Sequence, residues 1–326
     1  MQQDNCHNKG KHQRVTDETA KSFDPRYLAA KKSIDDQALN HHVWETLQQS
    51  LPHSTGSEPM KILELGAGIG TMLERLVDRG LLTGPSSYLA TDMDPNQLRA
   101  ARKYLSQWAE KRGHNLSWAG DSGRLQTANA EISLTLKSAR AEDLADSADS
   151  LGPFHLIIAH AVLDLLDFHA VLPRLLSRLT NSGLAYFTCN FDGETVFLPT
   201  CEGDEEIISC YHNSMEARLT GASHTGRRLL TFLHSSGLEI LAAGSSDWVI
   251  HPRGADYSLD ETFFLHAIIE TVERELAKEK NTPSDLADLA NLANWANLRH
   301  RQIDTADLSF LARHLDLLVQ HHPALP

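Results

Sequence analysis

Cysteine is scarce in this sequence. The four residues, Cys6, Cys189, Cys201 and Cys210, form no CxxC pair and are spread far apart. A disulfide framework and a cysteine-rich zinc site are therefore both excluded as the basis of the fold. Unpaired cysteines favour a reducing compartment, and we expect a cytoplasmic protein.

Long hydrophobic runs are also missing. No stretch of about 18 apolar residues occurs, which is the length that a membrane-spanning helix needs. The N-terminal segment is polar throughout and lacks the apolar core of a signal peptide. We expect no membrane segment and no secretion.

Positive charge is in deficit. Lys and Arg number 30 against 43 Asp and Glu, which gives a formal net charge of -13 and a sequence pI near 5.7. The summed field repels polyanions, so we expect no nucleic-acid partner and favour a small molecule as the ligand. We also allow for a homodimer.

The 326 residues are 41% hydrophobic and 22% charged, which is typical of a globular chain of one or two domains. Short apolar runs alternate with helical patterns along the central part, which predicts βαβ units and a parallel sheet. The five predicted strands lie at 61–65, 88–92, 131–139, 155–162 and 184–190. Helices are predicted from 72 to 78, 95 to 112 and 169 to 180.

The flanking regions have a different pattern. Residues 1–20 are predicted to be a disordered tail, and helices within 21–55 precede the core and are expected to cover its site. The core spans 56–192, and 193–326 completes the sheet and forms the acceptor pocket. This last part is predicted to contain an acidic loop at 202–206, a helix after Gly226, a strand at 238–250, helices at 260–279 and 284–300, and a strand at 308–313.

The strongest motif is a glycine-rich turn. The apolar strand Lys61–Leu65 runs into Gly66, Gly68 and Gly70 before a helix begins. Glycine lets a backbone approach a ligand closely because no Cβ intervenes. A dinucleotide-binding fingerprint would need Gly or Ala at position 71, which is Thr71 here.

The E-x-G-x-G-x-G pattern resembles motif I of the class I S-adenosylmethionine (SAM) dependent methyltransferases. The resemblance covers about residues 60–190 and implies SAM as the cofactor. It also implies a Rossmann-like, doubly wound, mostly parallel seven-stranded sheet, with helices added at the N-terminus and between the last two strands. By this resemblance the methionyl and ribose part of SAM is lined by Glu64, Gly66, Ala67, Gly68 and Gly70.

The next strand supports the same resemblance. It ends in Asp92, where the family places the carboxylate that holds both ribose hydroxyls, and Met93 adjoins it. Asp94 precedes Pro95, which is typical of a helix N-cap. In the family's third motif an acid binds the adenine; Arg140 occupies that position here, so the role falls to Glu142 or Asp143.

His160 ends the fourth strand, where the resemblance implies that side chains face the cofactor's methyl group. An imidazole suits proton removal from an acceptor, so His160 is the candidate catalytic residue and a candidate cofactor contact; packing is the alternative. Asp164, with Asp167 and His169, follows. We interpret these acids as favourable charge at a helix start rather than a metal site, and we expect no metal.

Candidate acceptor contacts are Asp164, after the fourth strand, and three residues beyond residue 190. Arg227 could clamp a carboxylate, although surface charge on an amphipathic helix explains it equally well. Asp247 and Trp248 place an acid beside an aromatic wall, and Trp248 is alternatively a core residue.

We expect a methyltransferase that transfers a methyl group from SAM to oxygen or nitrogen of a small molecule. Two alternatives remain open from the sequence. One is a non-catalytic protein that binds SAM or S-adenosylhomocysteine (SAH) as a sensor or partner. The other is an NAD-dependent oxidoreductase on a similar sheet.

Overall fold

The structure is a computed structural model that describes residues 24–52, 58–147, 151–219, 221–278 and 285–321. For residues 285–290 it describes the backbone alone. The predicted tail at 1–20 lies outside these residues. Within the described ranges, no helix is both long enough and apolar enough to cross a bilayer.

One mixed sheet organises the chain, in the order β3-β4-β5-β2-β1-β6-β7-β10-β8, with β9 paired to β10. Strands β5, β2, β1, β6 and β7 are mutually parallel, and β10 runs antiparallel to β7 and β8. The strands are β1 (Met60–Leu65), β2 (Gly84–Asp92), β3 (Asn115–Ala119), β4 (Ser122–Gln126), β5 (Ala130–Ser138), β6 (Phe154–His160), β7 (Leu179–Leu198), β8 (Glu239–Ser245), β9 (Trp248–Ile250) and β10 (Ser309–Gln320).

Seven of these strands form the predicted core, from β5 through β1 and β7 to β8. Helices cover both faces of the sheet, and two long helices are inserted between β9 and β10. The helices are α1 (Pro25–Ala38), α2 (His41–Ser50), α3 (Thr71–Asp78), α4 (Pro95–Arg112), α5 (Ala141–Asp146), α6 (Phe168–Leu176), α7 (Asp204–Arg218), α8 (Thr225–Ser235), α9 (Leu259–Lys278) and α10 (Asp285–Asp304). The predicted doubly wound fold is confirmed.

Successive side chains of a buried strand point to opposite faces of the sheet, so each strand packs against a helix layer on either side. In β1, Ile62 packs with α2, α3 and α4 on one face, whereas Leu63 and Leu65 pack with α5, α6 and α8 on the other. Strands buried on both faces need apolar residues at every position, as a parallel sheet does. The chain changes face between β1 and β6, so a crevice opens at their carboxyl ends.

A third apolar cluster lies beyond the sheet core. It joins α1, α7, α9 and α10 to the extended ends of β7 and β10, and it contains Ile34, Phe264, Trp295 and Phe310. The inserted helices therefore have a core of their own, continuous with the sheet through two long strands.

Three expectations about local structure were wrong. The acidic run at 202–206 is not a loop: Asp204 opens α7, because carboxylates stabilise the start of a helix. The helix predicted over 169–180 ends at Leu176, and β7 already begins at Leu179. The β3–β4 hairpin, which extends the sheet beyond β5, was not predicted.

Candidate functional site

The glycine turn lies at the carboxyl end of β1, at the crevice between β1 and β6. Gly66, Gly68 and Gly70 have φ angles of +63°, +52° and +84°, in the left-handed region. A Cβ on Gly66 would lie 2.5 Å from a methyl carbon of Val162, so this position has no room for a side chain. Ala67 N–H donates to the Thr91 carbonyl at 2.8 Å and ties the turn to β2.

Asp92 ends β2 with its carboxylate against the turn. One carboxylate oxygen accepts from Gly68 N–H at 2.9 Å, and the other accepts from Asp94 N–H at 2.9 Å. A carboxylate has about four lone-pair sites, so capacity remains for a ligand hydroxyl. Burial raises the pKa of Asp92 above its ordinary value. The Asp94 side chain instead accepts from Asn96 N–H at 2.8 Å and caps α4, as predicted.

The rim beside Asp92 combines an apolar surface with acids. Met93 is 44% exposed, which is unusual for so large an apolar side chain. Ala139 N–H donates to the Asp92 carbonyl at 3.0 Å, so the start of α5 adjoins the end of β2. Glu142 and Asp143 lie in the first turn of α5. The structure thus places the two acids that were predicted to bind adenine, Glu142 and Asp143, beside the glycine turn.

Glu64 is placed differently from the other motif I residues. Its side chain is buried, and one carboxylate oxygen accepts from Tyr88 Oη at 2.7 Å. Burial raises the pKa of Glu64 to about 8. In this arrangement Glu64 joins β1 to β2, and its carboxylate bonds to Tyr88 rather than to the backbone of the turn.

His160 lies at the carboxyl end of β6, as predicted, but both ring nitrogens are engaged. Nε2 lies 2.9 Å from an Asp35 oxygen, and Nδ1 lies 2.7 Å from Thr188 Oγ1. Burial lowers the pKa of His160 to about 4, so the ring is neutral near pH 7. Since Asp35 is an anion, we assign the proton to Nε2, and Nδ1 accepts from Thr188. Neither nitrogen offers a free lone pair to an acceptor.

Asp35 of α1 was missed by the sequence analysis. It is buried and is contacted by Lys31 Nζ at 2.7 Å, Trp248 Nε1 at 3.0 Å and Arg75 Nη2 at 3.5 Å. Burial acts to raise the pKa of Asp35, but Lys31, His160 and Arg75 outweigh it and lower the pKa. The available signal was the Lys31–Asp35 spacing, which places both charges on one helix face.

Helix α1 packs directly on the glycine turn. A Cβ on Gly68 would lie 3.0 Å from Leu28 Cδ1 of α1. Asp36 strengthens the contact by accepting from Arg75 Nε at 2.5 Å. Leu28 and Asp36 of α1 therefore lie against the turn and against α3.

The backbone is strained on the two strands beside His160. Ala161 and Cys189 have φ angles of +50° and +53°, which residues with a Cβ adopt at a cost. Cys189 N–H donates to Asp316 at 2.8 Å, and Ala161 N–H donates to the Thr188 carbonyl at 2.9 Å. Such strain is concentrated at functional sites, which supports this location for the site.

The cluster of Asp35, His160 and Cys189 brings three potential metal-binding atoms within 4.8 Å of one another. A cation fits poorly here, because Lys31 and Arg75 already neutralise Asp35. Burial also raises the pKa of the Cys189 thiol well above its ordinary value, so the thiolate needed for binding a metal is disfavoured.

The predicted acceptor residues are not all brought together. Asp164 lies in a 3₁₀ turn after β6, and its buried Oδ1 has no hydrogen-bond partner among the described residues. The Arg227 guanidinium is held by Asp192, at 2.8 Å from Nε to Oδ1 and 3.0 Å from Nη2 to Oδ2. Arg227 is therefore engaged at the start of α8 rather than presented to a ligand.

Asp247 and Trp248 lie on opposite sides of a groove wall. Asp247 lines a groove of about 290 Å³ between α1, β9 and α9, together with Ile34, Val249 and Arg253. Trp248 is buried: its ring packs on Phe264 and His314, and its Nε1 donates to Asp35.

Comparison with known proteins gives little sequence similarity. No family profile matches the chain. The 3-methylorcinaldehyde synthase of Phoma sp is 38% identical over 77 residues, which cover 22% of this chain and 3% of that synthase.

Several solved structures are similar to this chain at a low level. A candidate methyltransferase from Bacillus halodurans has a TM-score of 0.46 and 11% identity, covering 87% of this chain and 100% of its own. A candidate sarcosine dimethylglycine methyltransferase from Galdieria sulphuraria has a TM-score of 0.44 and 14% identity, and the match covers 88% of this chain and 85% of that one. Phosphoethanolamine N-methyltransferase 2 of Haemonchus contortus, solved with SAM, has a TM-score of 0.43 and 12% identity. The match covers 93% of this chain and 58% of that one.

These TM-scores lie below 0.5, so the function assigned to this chain rests on its own strand order and side chains. Both point to a doubly wound α/β protein with a ligand site at the topological switch point. The sheet is the Rossmann-like fold expected of the class I methyltransferases.

Proposed function

We propose that this protein is a SAM-dependent methyltransferase that acts on oxygen or nitrogen of a small molecule. The observation that carries the proposal is the Asp92 carboxylate, fixed by Gly68 N–H against the glycine turn at the switch point. A carboxylate in this place matches a cis-diol and no phosphate. Bound here, SAM would supply an electrophilic methyl group on a sulfonium.

The turn itself favours an adenosyl ligand without phosphates over a dinucleotide. Gly70 N–H donates to the Ala67 carbonyl at 2.8 Å, so it is used within the turn. A pyrophosphate-binding turn would carry Gly or Ala at position 71, where Thr71 begins α3. A Cβ on Gly70 would lie 3.0 Å from Leu105, so the backbone there is also packed from behind. The NAD-dependent alternative is correspondingly disfavoured.

Different residues of the chain would bind different parts of SAM. Asp92 would hold the ribose, and Gly66, Ala67, Gly68 and Gly70 would let the backbone approach the methionyl part. Met93 would contact the adenine ring, whose amino group would be bound by Glu142 or Asp143 at the start of α5. Glu64 would support the turn from beneath through Tyr88.

His160 remains the candidate for proton removal only when α1 moves. In the arrangement described here it acts as a positioning residue, because it holds Asp35 of α1 over the site. Displacing Asp35 would free Nε2 at the end of β6, where an acceptor would meet the methyl group, and Nε2 would become a base once the proton moves to Nδ1 and donates to Thr188 Oγ1.

The acceptor side presents anionic groups. Asp164 Oδ1 is buried without a partner among the described residues, and Asp247 lines the groove beside α1. Trp248 forms the wall between the groove and Asp35. These groups favour an acceptor that donates hydrogen bonds, such as an amine or a hydroxyl compound. Arg227 is not proposed as a clamp. A homodimer and a cytoplasmic location stay predictions.

The test is methyl transfer to a panel of small amines, phenols and carboxylic acids. We expect SAH formation, measured by mass spectrometry, to depend on one class of acceptor. Asp92→Asn should abolish it without changing the circular dichroism spectrum. SAM binding with no product from any acceptor would instead support a non-catalytic SAM- or SAH-binding protein. The closed position of α1 and the occupied nitrogens of His160 favour that second candidate.

A further inference from the structure

Two histidines meet between the inserted helices, away from the glycine turn. His266 lies on α9 and His300 on α10, with ring centroids 4.9 Å apart and the ring planes inclined by 25°. Their Nδ1 atoms are 2.7 Å apart. Both residues are partly exposed, so solvent ions can reach them.

Acidic residues follow each histidine at helical spacing. Glu270 is four residues after His266 on α9, and Asp304 is four residues after His300 on α10. Side chains four apart lie on one helix face, so each helix presents an imidazole and a carboxylate together. Glu270, Glu273 and Asp304 all act to raise the pKa of His300, although burial and His266 outweigh them and lower it.

The position of Asp304 determines which nitrogen of His266 is available. Asp304 Oδ1 lies 3.4 Å from His266 Nε2. A carboxylate there favours the proton on Nε2 and leaves a lone pair on Nδ1, facing His300. Metal-binding histidines commonly have a carboxylate beside the other ring nitrogen, because it fixes both tautomer and orientation.

Only one proton fits between the two Nδ1 atoms. In the absence of metal, His300 Nδ1–H donates to the lone pair of His266 Nδ1. A divalent ion can replace that proton. Tetrahedral coordination with metal–nitrogen distances of about 2.0–2.1 Å separates two donors by about 3.3 Å. The rings therefore need to part by about 0.6 Å, which a side-chain adjustment supplies.

We propose that α9 and α10 bind one borderline divalent ion, Zn²⁺, Co²⁺ or Ni²⁺, through His266 Nδ1 and His300 Nδ1. The Glu270 carboxylate and water complete the coordination. Imidazole nitrogen with one carboxylate suits these ions better than Mg²⁺ or Ca²⁺, which prefer oxygen. A neutral His300 carries a single proton, so that proton passes from Nδ1 to Nε2 through solvent when the ion binds, and the two imidazoles release no net proton.

The site differs from the proposed methyltransferase centre and does not depend on it. A bound ion would cross-link the two inserted helices, α9 and α10. Because Phe264 of α9 stacks on Tyr27 of α1 at 5.6 Å, the cross-linked helices would also support α1. Sequence spacing alone predicts no metal here, because the ligands come from two helices about 30 residues apart.

The chain has 18 histidines, so the experiment must separate this site from others. We would titrate the chelator-treated full chain with Co²⁺ by absorption spectroscopy and with Zn²⁺ by calorimetry. His300→Gln and His266→Gln test the site, and His234→Gln on α8 is the matched control. Circular dichroism checks that each variant is folded.

We expect one saturable site, seen as the visible absorption of bound Co²⁺ and as a saturating Zn²⁺ titration. Affinity should fall at least 10-fold in His300→Gln and His266→Gln, less in Glu270→Gln, and not at all in the control. The absence of saturable binding would overturn the proposal. So would equal binding by folded His300→Gln and the unchanged protein.

Discussion

Asp35 of α1 and His160 of β6 are joined by a hydrogen bond of 2.9 Å, although 125 residues separate them in the chain. The bond fixes the N-terminal helix over the crevice at the topological switch point. Lys31, Arg75 and Trp248 contact the same carboxylate, so one buried group of α1 joins four side chains. Three properties of the site follow from this arrangement and from its neighbours in motif I.

Removing the Asp35 charge should release α1. Asp35→Asn leaves Lys31 and Arg75 buried without a full counter-charge, and losing one partner of a buried ion cluster costs about 3–5 kcal/mol. We expect a lower unfolding temperature and faster amide hydrogen exchange across Pro25–Ala38. Glu131→Gln is the control, because Glu131 pairs only at 3.9 Å with exposed Arg124; it should cost less than about 1 kcal/mol. Equal protection of α1 in both variants would contradict the role given to Asp35.

Adding a methyl group to the glycine turn should separate strain from ligand contact. Gly68→Ala strains the backbone at φ +52° and presses on Leu28, whereas Gly80→Ala has a similar φ of +71° with nothing within 4 Å. Both variants should lose roughly 1–2 kcal/mol of stability. Only Gly68→Ala should also weaken SAM binding, by at least about 10-fold. Unchanged SAM affinity in Gly68→Ala would remove the turn from the cofactor site.

The buried Glu64 should make stability pH-dependent. Its pKa is 4.5 in an unfolded chain and about 8 in the fold, so the folded state holds the proton more tightly. The stabilising contribution is complete below the unfolded pKa and is lost as pH rises through the folded pKa. Within that window the free energy of unfolding falls by about 1.4 kcal/mol per pH unit.

Glu64→Gln tests this directly, because an amide cannot titrate but can still accept from Tyr88 Oη. We would measure chemical unfolding of both proteins from about pH 5 to pH 9. The variant should gain stability relative to the original protein as pH rises. A difference that stays constant over this range would show that Glu64 keeps an ordinary pKa.

The sequence predicted what is local and missed what is assembled from distant segments. A few neighbouring residues determine each of the features that were predicted: the seven core strands, the glycine turn and the capping role of Asp94. Asp35 gives no comparable signal, because Arg75, His160 and Trp248 lie 40, 125 and 213 residues away. Arg227 shows the converse case: its helix start was predicted, but its partner Asp192 was not.

The same distinction explains the local errors. Acidic residues at 202–206 occur equally in loops and at helix starts, and the contact of Asp204 with Arg299 and Trp295 settles the choice only in three dimensions. The β3–β4 hairpin joins the sheet because β4 pairs with β5, which is a tertiary contact.

The most direct test of the whole account is calorimetric titration with SAM, SAH and NADH, using the original protein, Asp92→Asn and Asp94→Asn. We predict micromolar binding of SAM or SAH, no binding of NADH, and a loss of about 10–100-fold in Asp92→Asn, because a charge-assisted contact to the ribose is removed. Asp94→Asn should retain affinity, since Asp94 only caps α4. NADH binding, silence with both adenosyl ligands, or equal affinity in Asp92→Asn would contradict the proposed cofactor site.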